Sequence, residues 1–147
     1  QVLPIGQGQR LKHGTDAVVL SLGPIGNTVQ KAIATVEQRI GSSIAHYDMR
    51  FLKPIDTHIL HEVGQHFKHI FTVEDGVIAG GLGSAVLEFM ADNDYQPHVT
   101  RIGIDDQFVE HGTQAELYHM LGMDAEGIAN TIITKLNSDN QLTDNKL

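Results

Sequence analysis

The chain alternates short apolar runs with amphipathic helical patterns, and this alternation restricts its fold more than any other feature. Four runs rich in β-branched residues recur along the chain, around Ala17–Leu22, Ser43–Tyr47, Ile70–Val73 and Val99–Ile104. Strands that alternate with helices predict a parallel sheet with right-handed crossovers and helices on both faces. The sequence therefore predicts a three-layer α/β/α sandwich with a mostly parallel sheet of about five strands.

Helical periodicity fills the segments between these runs. Asn27 or Thr28 can cap the first helix, and Asp56, two residues after the break at Pro54, can cap the second. The buried face of the second helix is expected to carry apolar residues at helical spacing. The predicted helices are Asn27–Ile40, a segment that starts at Asp56 and includes Ile59, Leu60, Val63 and Phe67, then Gly81–Met90, Gln114–Leu121 and Asp124–Leu136.

The chain is long enough for one domain with its own core and too short for two. Residues 13–136 are predicted to form that domain. Residues 1–12 are interpreted as a linker from upstream domains, because the chain has no initiator methionine and begins with a glycine- and glutamine-containing stretch. Residues 137–147 are polar and are predicted to be a flexible tail, since they can bury little apolar surface.

Composition removes several classes of function. The 147 residues carry 18 acidic and 10 basic side chains, and the resulting charge of −8 repels the phosphate backbone of nucleic acids. The absence of cysteine excludes disulfides, thiolate metal sites and a cysteine nucleophile. No apolar run approaches the length needed to cross a bilayer. We therefore expect a cytoplasmic protein that binds neither nucleic acid nor membrane.

A glycine-rich segment lies between the third predicted strand and the third helix, where a phosphate-binding loop could sit. It fails the dinucleotide-binding pattern, because Val86 stands where a third glycine or alanine is required. Close packing of the helix on the sheet is the favoured interpretation. A bound anion at Gly80, Gly81 and Gly83 stays open, since the N–H groups of a helix start favour negative charge.

Histidine is unusually frequent, with nine in the chain, and four lie at or beside the second predicted helix. His58, Glu62 and His66 share one helix face, so neighbouring members could chelate a metal. The spacing of His61, Glu62 and His66 does not match the His-Glu-x-x-His pattern of zinc hydrolases. A solvent-exposed polar face is therefore favoured, and no metal site is predicted.

Charged residues follow the predicted strands at what should be one edge of the sheet, the edge where ligands bind in open α/β folds. Such a rim could be functional. Alternatively, Arg50 pairs with one of the carboxylates and orders the loops. The candidate rim or interdomain residues are Asp48, Arg50, Glu74, Asp75, Asp105, Asp106 and His111.

Four motifs follow one another along the chain, at Tyr47–Asp56, Thr72–Val86, Gly103–Thr113 and Leu121–Asp124. The first reads Asp-x-Arg before Lys-Pro-Ile-Asp, the second Thr-Val-Glu-Asp before Gly-Gly-x-Gly-Ser, and the third Gly-x-x-Asp-x-Phe-x-x-x-Gly-Thr. Together they resemble the C-terminal domain of the thiamine-diphosphate-dependent transketolases. Within these, the resemblance is to the 1-deoxy-D-xylulose-5-phosphate synthase family and extends from about Arg10 to Leu136.

This resemblance implies a parent enzyme that decarboxylates pyruvate on thiamine diphosphate with magnesium and joins the two-carbon unit to glyceraldehyde 3-phosphate. In that family the cofactor, the metal and the acid–base residues belong to the first two domains. The resemblance thus implies no catalytic residue and no cofactor in this chain. It implies a domain that packs on the upstream domains and helps a homodimer form. The corresponding domain of another transketolase or of a 2-oxoacid dehydrogenase β subunit, and a free-standing anion-binding module, remain alternatives.

Overall fold

A computed structural model of the chain describes residues 4–77, 81–104 and 122–144. Its elements in chain order are β1 (Gln9–Lys12), β2 (Ala17–Leu22), α1 (Gly26–Ile40), β3 (Ile44–Asp48), α2 (Thr57–His66), β4 (His69–Val77), α3 (Leu82–Asp92), β5 (His98–Ile104) and α4 (Ala125–Asp144). The strands form one sheet in the order β1-β3-β2-β4-β5. β2 to β5 are parallel to their neighbours, and only β1 is antiparallel. The predicted mostly parallel sheet is confirmed.

Two apolar cores hold helices on the two faces of this sheet. On one face, Phe71 of β4 lies in the same core as Ile33 of α1 and Ile132 of α4. On the other, Leu20 of β2 shares a core with Leu60 of α2 and with residues of α3. All five of these side chains are almost fully buried, and each such burial stabilises the fold by about 1.5–3 kcal/mol. The three-layer sandwich is therefore confirmed.

The helix starts follow the prediction for α2 and differ from it for α1. Asp56 is the N-cap of α2, and its carboxylate accepts a hydrogen bond from the Ile59 N–H. α1 has no side-chain cap. Its first N–H groups donate instead to the carbonyl groups of the preceding turn, from Gly26 to Gly23 and from Asn27 to Pro24. The turn geometry, which the capping pattern does not reveal, replaces the predicted side-chain cap.

Strand β1 lies inside the stretch that the sequence suggested was a linker. It pairs antiparallel with β3, with Gln9 opposite Asp48 and Arg10 opposite Tyr47. The strand was missed because it is an exposed polar edge strand and shows no apolar alternation. The folded structure therefore begins before residue 13.

Helix α4 also exceeds its predicted end, because it continues from Leu136 to Asp144. The segment from 137 that was expected to be a flexible tail is thus helical as far as it is described. Extending a helix whose first turns are packed is far less costly than nucleating one. The Asp139 carboxylate also lies 3.2 Å from Nε2 of His69 at the start of β4, which fixes the first added turn. Within the described ranges, no helix is both long and apolar enough to cross a membrane.

Candidate functional site

The candidate rim residues that the structure describes lie at the carboxyl edge of the sheet, but they do not converge on one point. Asp48 ends β3, whereas Glu74 lies in β4 opposite Leu22 of β2. The strand order places β2 between them, so the backbones of the two residues are separated by two strand spacings, about 10 Å. Asp75, beside Glu74, is exposed. Asp105, Asp106, His111 and Gly80 lie outside the described residues.

Arg50 forms a tight turn with Asp48, and among the described residues it makes no ion pair across the edge. Its N–H donates to Asp48 Oδ1 at 3.0 Å, and its backbone is left-handed with φ 61°. Its guanidinium donates to Oε1 of Gln9 on β1. The expected pairing with a carboxylate thus occurs through the backbone N–H. The arginine side chain connects the turn after β3 to the edge strand, which is an ordering role.

Substitution of Arg50 tests its left-handed backbone conformation directly. Replacing Arg50 by glycine relieves a backbone conformation that costs a non-glycine residue about 1–2 kcal/mol, but it also removes the contact with Gln9 and adds freedom to the unfolded chain. We expect Arg50→Gly to change the free energy of unfolding, measured with urea, by less than about 1 kcal/mol. Arg50→Val is the matched variant and should destabilise more, because a β-branched residue tolerates this conformation worst. Equal stability of the two variants would contradict the assigned conformation.

The Glu74 carboxylate accepts hydrogen bonds from backbone N–H groups at the start of α3. The side chain is 7% exposed, and its Oε2 accepts a hydrogen bond from Leu82 N–H at 2.7 Å, while its Oε1 lies 3.4 Å from Gly83 N. A Cβ at Gly81 would overlap this carboxylate. At Gly83 a Cβ would meet the side chains of Arg101 and Thr72. The two glycines allow a buried acidic residue and the sheet to approach the helix closely.

This arrangement bears on the anion that the glycine-rich segment was predicted to receive. An anion at a helix start needs free N–H groups. The N–H groups of Leu82 and Gly83 already have an anionic partner in Glu74. An external phosphate at Gly81 and Gly83 would have to displace that buried carboxylate. The geometry favours the packing interpretation over a ligand site.

Asp56 performs a second task that sequence analysis did not reveal. Besides capping α2, its Oδ2 accepts a hydrogen bond from the Gly8 N–H at 2.8 Å. A Cβ at Gly8 would be only 2.7 Å from the carbonyl oxygen of Asp48. The aspartate of the Lys-Pro-Ile-Asp turn therefore fastens the segment that precedes β1 to the start of α2. The partner lies 48 residues away, so no local pattern could show it.

Replacing Asp56 by asparagine separates these two tasks. An amide oxygen can still cap α2, but the amide nitrogen then faces the Gly8 N–H with a donor. We expect Asp56→Asn to lower the free energy of unfolding by about 1 kcal/mol and to speed amide exchange at Gly8. Hydrogen exchange measured by NMR checks this. Unchanged exchange at Gly8 would contradict the tether.

The histidines do not form a metal centre in the described part of the chain. His66 Nδ1 lies 2.7 Å from the carbonyl oxygen of Glu62, and His61 Nδ1 lies 2.9 Å from the hydroxyl of Tyr95. The His66 ring thus contacts the last turn of α2, and the His61 ring packs α2 against Phe89 of α3 and against Tyr95, which follows α3. No group of three His, Asp or Glu side chains among the described residues could hold a metal ion.

Tyr47 and His46 are neighbouring strand residues whose pKa values are shifted. Burial raises the pKa of the Tyr47 phenol, and the charge of Glu62 raises it further against the opposing effect of Arg10. Burial lowers the pKa of His46 to about 4, although the charge of Asp48 opposes the shift. Both side chains are therefore neutral near pH 7. Neither was identified by sequence analysis, because each looks like an ordinary strand residue.

Comparisons with known proteins find relatives that match most of this chain. Residues 6–128 match the family model described as transketolase, C-terminal domain. The protein named 1-deoxy-D-xylulose-5-phosphate synthase in Parabacteroides distasonis is 64% identical over 130 residues, which cover 88% of this chain and 20% of that protein. The protein of the same name in Phocaeicola vulgatus is 58% identical over 134 residues, which cover 91% of this chain and 21% of that protein. The chain thus spans about a fifth of the length of these curated relatives.

A solved structure gives the same relationship at the level of the fold. The structure titled split gene transketolase, inactive beta4 tetramer, superposes with a TM-score of 0.82 and is 30% identical. The match covers 92% of this chain and 44% of that one.

Proposed function

The chain belongs to the family of transketolase C-terminal domains, and from this premise we propose that it is the C-terminal domain of a 1-deoxy-D-xylulose-5-phosphate synthase. The observation that carries the proposal is the identity of 58–64% to proteins of that name over nearly the whole chain. The motifs at Tyr47–Asp56 and Thr72–Val86 agree with it.

The proposed parent is a transferase of the transketolase type. It would decarboxylate pyruvate on thiamine diphosphate, with magnesium, and condense the remaining two-carbon unit with glyceraldehyde 3-phosphate. The product would supply isoprenoid, thiamine and pyridoxal synthesis. The cofactor, the metal and the residues that move protons would come from the upstream domains of the same polypeptide.

The described residues do not fit a diphosphate–magnesium site of their own. A magnesium ion takes several oxygen ligands in nearly octahedral geometry, whereas Asp48 and Glu74 point their carboxylates at backbone N–H groups. Among the described residues, neither carboxylate belongs to a group of three His, Asp or Glu side chains that could hold a metal ion. These contacts support a domain that stabilises its neighbours and takes no chemical step itself.

Packing against upstream domains and a homodimer partner is the proposed role of the domain. The tether from Gly8 to Asp56 supports it, because it fixes the direction in which the chain enters the domain. The charge of −8 argues against nucleic acid as a partner. We propose a cytoplasmic location for the complete enzyme, with no membrane partner.

The two alternatives are less well supported. The domain of another transketolase or of a 2-oxoacid dehydrogenase β subunit would be expected to resemble such proteins more than it resembles the synthase, but the identity to the split transketolase is 30%. A free-standing anion-binding module would need free N–H groups at the start of α3. Glu74 occupies those of Leu82 and Gly83.

The test uses the complete protein and this 147-residue chain side by side. We expect pyruvate-dependent condensation with glyceraldehyde 3-phosphate only in the complete protein, and no specific thiamine diphosphate binding by the chain in calorimetry. A complete protein truncated after the upstream domains should lose its dimer in analytical ultracentrifugation. Turnover of ketose phosphates without pyruvate would move the assignment to another transketolase. Specific cofactor binding by the chain alone would contradict the non-catalytic role.

A further inference from the structure

A cavity of about 310 Å³ lies between the edge strand β1, strand β3 and the last turns of helix α2. One water molecule takes about 30 Å³ in the liquid, so the cavity has the volume of about ten water molecules and admits a small organic molecule. Among the described residues, none of the candidate rim residues borders it. Its lining includes Arg10, Ala45, Tyr47, Glu62, His66 and Phe67.

Two opposite charges border this cavity from different elements. Arg10 belongs to β1 and Glu62 to α2, and both side chains are exposed, so a molecule in the cavity can reach them. No ion pair joins these two residues in the part of the chain that the structure describes. The cavity therefore presents a cation and an anion that do not neutralise each other by direct contact.

The phenol of Tyr47 lies between these charges. Tyr47 is 4% exposed and stands opposite Arg10 in the register of β1 and β3. Its hydroxyl has hydrogen-bond interactions with both Arg10 and Glu62. A guanidinium only donates and a carboxylate only accepts, so the buried hydroxyl links the two groups and fixes their positions. Each of them keeps further donors or acceptors, since a guanidinium has five N–H groups and a carboxylate about four acceptor positions.

The end of α2 adds to the preference for a cation on the Glu62 side. α2 ends at His66, and the carbonyl groups of a helix end carry partial negative charge. His66 Nδ1 lies 2.7 Å from the carbonyl oxygen of Glu62. Because a carbonyl only accepts, Nδ1 carries the hydrogen, and Nε2 of the neutral ring is an acceptor. The α2 side of the cavity thus favours a positive group, and the Arg10 side favours a negative one.

We propose that this cavity is a binding site for a free α-amino acid with an apolar side chain, held by its ammonium group at Glu62 and by its carboxylate at Arg10. A guanidinium matches a carboxylate with two parallel hydrogen bonds. Ala45 is buried, and Phe67 packs on the apolar core beneath α2, so these walls suit an apolar side chain. A ligand with a single charge leaves one of the two charged residues unmatched. This site is additional to the proposed packing role of the domain.

L-leucine is the probe for the first experiment, with the ¹⁵N-labelled 147-residue chain observed by NMR. We expect the Arg10 Nε–H signal and the backbone amide signals of Gly14 and Phe67, which border the cavity, to shift and saturate as leucine is added. 4-Methylpentanoate lacks the ammonium group of leucine, and 3-methylbutylamine lacks its carboxylate. Each should bind at least about tenfold more weakly than leucine, because it loses a hydrogen bond between charged groups.

Two variants test the assigned orientation, and both change exposed side chains that the fold does not bury. Arg10→Gln should weaken leucine binding at least about tenfold and leave the affinity for 3-methylbutylamine unchanged. Glu62→Gln should weaken leucine binding as much and leave the affinity for 4-methylpentanoate undiminished. Glu88→Gln, the same change at an exposed position of α3 away from the cavity, is the control and should bind leucine as the unchanged chain does.

Three results would each overturn the proposal. The first is a leucine response that does not saturate. The second is an affinity for either singly charged probe that equals the affinity for leucine. The third is a leucine affinity that Arg10→Gln or Glu62→Gln leaves unchanged, since both charges are required to hold the amino acid.

Discussion

Replacing Glu74 by alanine is expected to lower the free energy of unfolding by about 3 kcal/mol, because it leaves buried N–H groups at the start of α3 without an acceptor at about 1–3 kcal/mol each. Glu74 is 7% exposed and accepts its shorter hydrogen bond from Leu82. Urea denaturation at pH 7 measures the loss. Asp75→Ala is the matched control, since Asp75 is the exposed neighbouring carboxylate, and it should change stability by less than about 0.5 kcal/mol.

The same contact predicts how Gly81 and Glu74 depend on each other. A Cβ at Gly81 would overlap the Glu74 carboxylate, so Gly81→Ala should be strongly destabilising in the presence of Glu74 and nearly neutral in its absence. A double-mutant cycle should therefore give a coupling free energy of about 1–3 kcal/mol between the two changes. Gly83→Ala is the comparison, because its Cβ would meet Arg101 and the buried Thr72 instead of Glu74, so its cost should be the same with and without Glu74.

Additive effects of Glu74→Ala and Gly81→Ala would contradict a carboxylate packed under the glycine. A Glu74→Ala chain as stable as the Asp75→Ala chain would show that Leu82 and Gly83 find other acceptors. Either result would reopen the start of α3 as a site for an external anion. The stability of the helix cap and the availability of an anion site are therefore decided by one set of variants.

The layers of this fold follow from its hydrophobic pattern, whereas its ends do not. The buried run at β2 and the periodic face of α1 each have a local signal in the sequence, and both elements form close to where they are predicted. β1 has no such signal, because three of its four residues are polar and the strand gains its order by pairing with β3. The last turns of α4 are likewise polar and depend on the packed turns before them.

The candidate site shows the same division between local and non-local information. Glu74 and Gly81 were both identified from the sequence, but the hydrogen bond of Glu74 goes to the Leu82 N–H at the helix start, eight residues later, and no local pattern predicts that contact. Ser21 and His46 lie 25 residues apart and meet only because β2 and β3 are neighbours in register. A serine and a histidine within apolar runs look like polar interruptions until the strands are paired.

His46 yields the second large prediction, which concerns the dependence of stability on pH. Burial lowers its pKa in the folded chain to about 4 from an ordinary value of 6.5. Between these values the unfolded chain binds a proton that the folded chain rejects, so the free energy of unfolding falls as the pH falls. At about 1.4 kcal/mol per pKa unit, the loss amounts to about 3 kcal/mol. Above about pH 6.5 this contribution is fully present, and below about pH 4 it falls no further.

His46→Phe isolates this effect, because it replaces the imidazole with a ring that does not titrate. Urea denaturation from pH 7 to pH 4 should give a steep decline for the unchanged chain and a shallower one for the variant, with the difference accumulating to about 3 kcal/mol. The remaining slope reports the carboxylates, which titrate in both proteins. His58→Gln, which removes an exposed histidine, should retain the steep decline. Parallel curves for the unchanged chain and His46→Phe would mean that the ring accepts a proton in the folded state. The assignment of a buried neutral imidazole beside Ser21 would then be wrong.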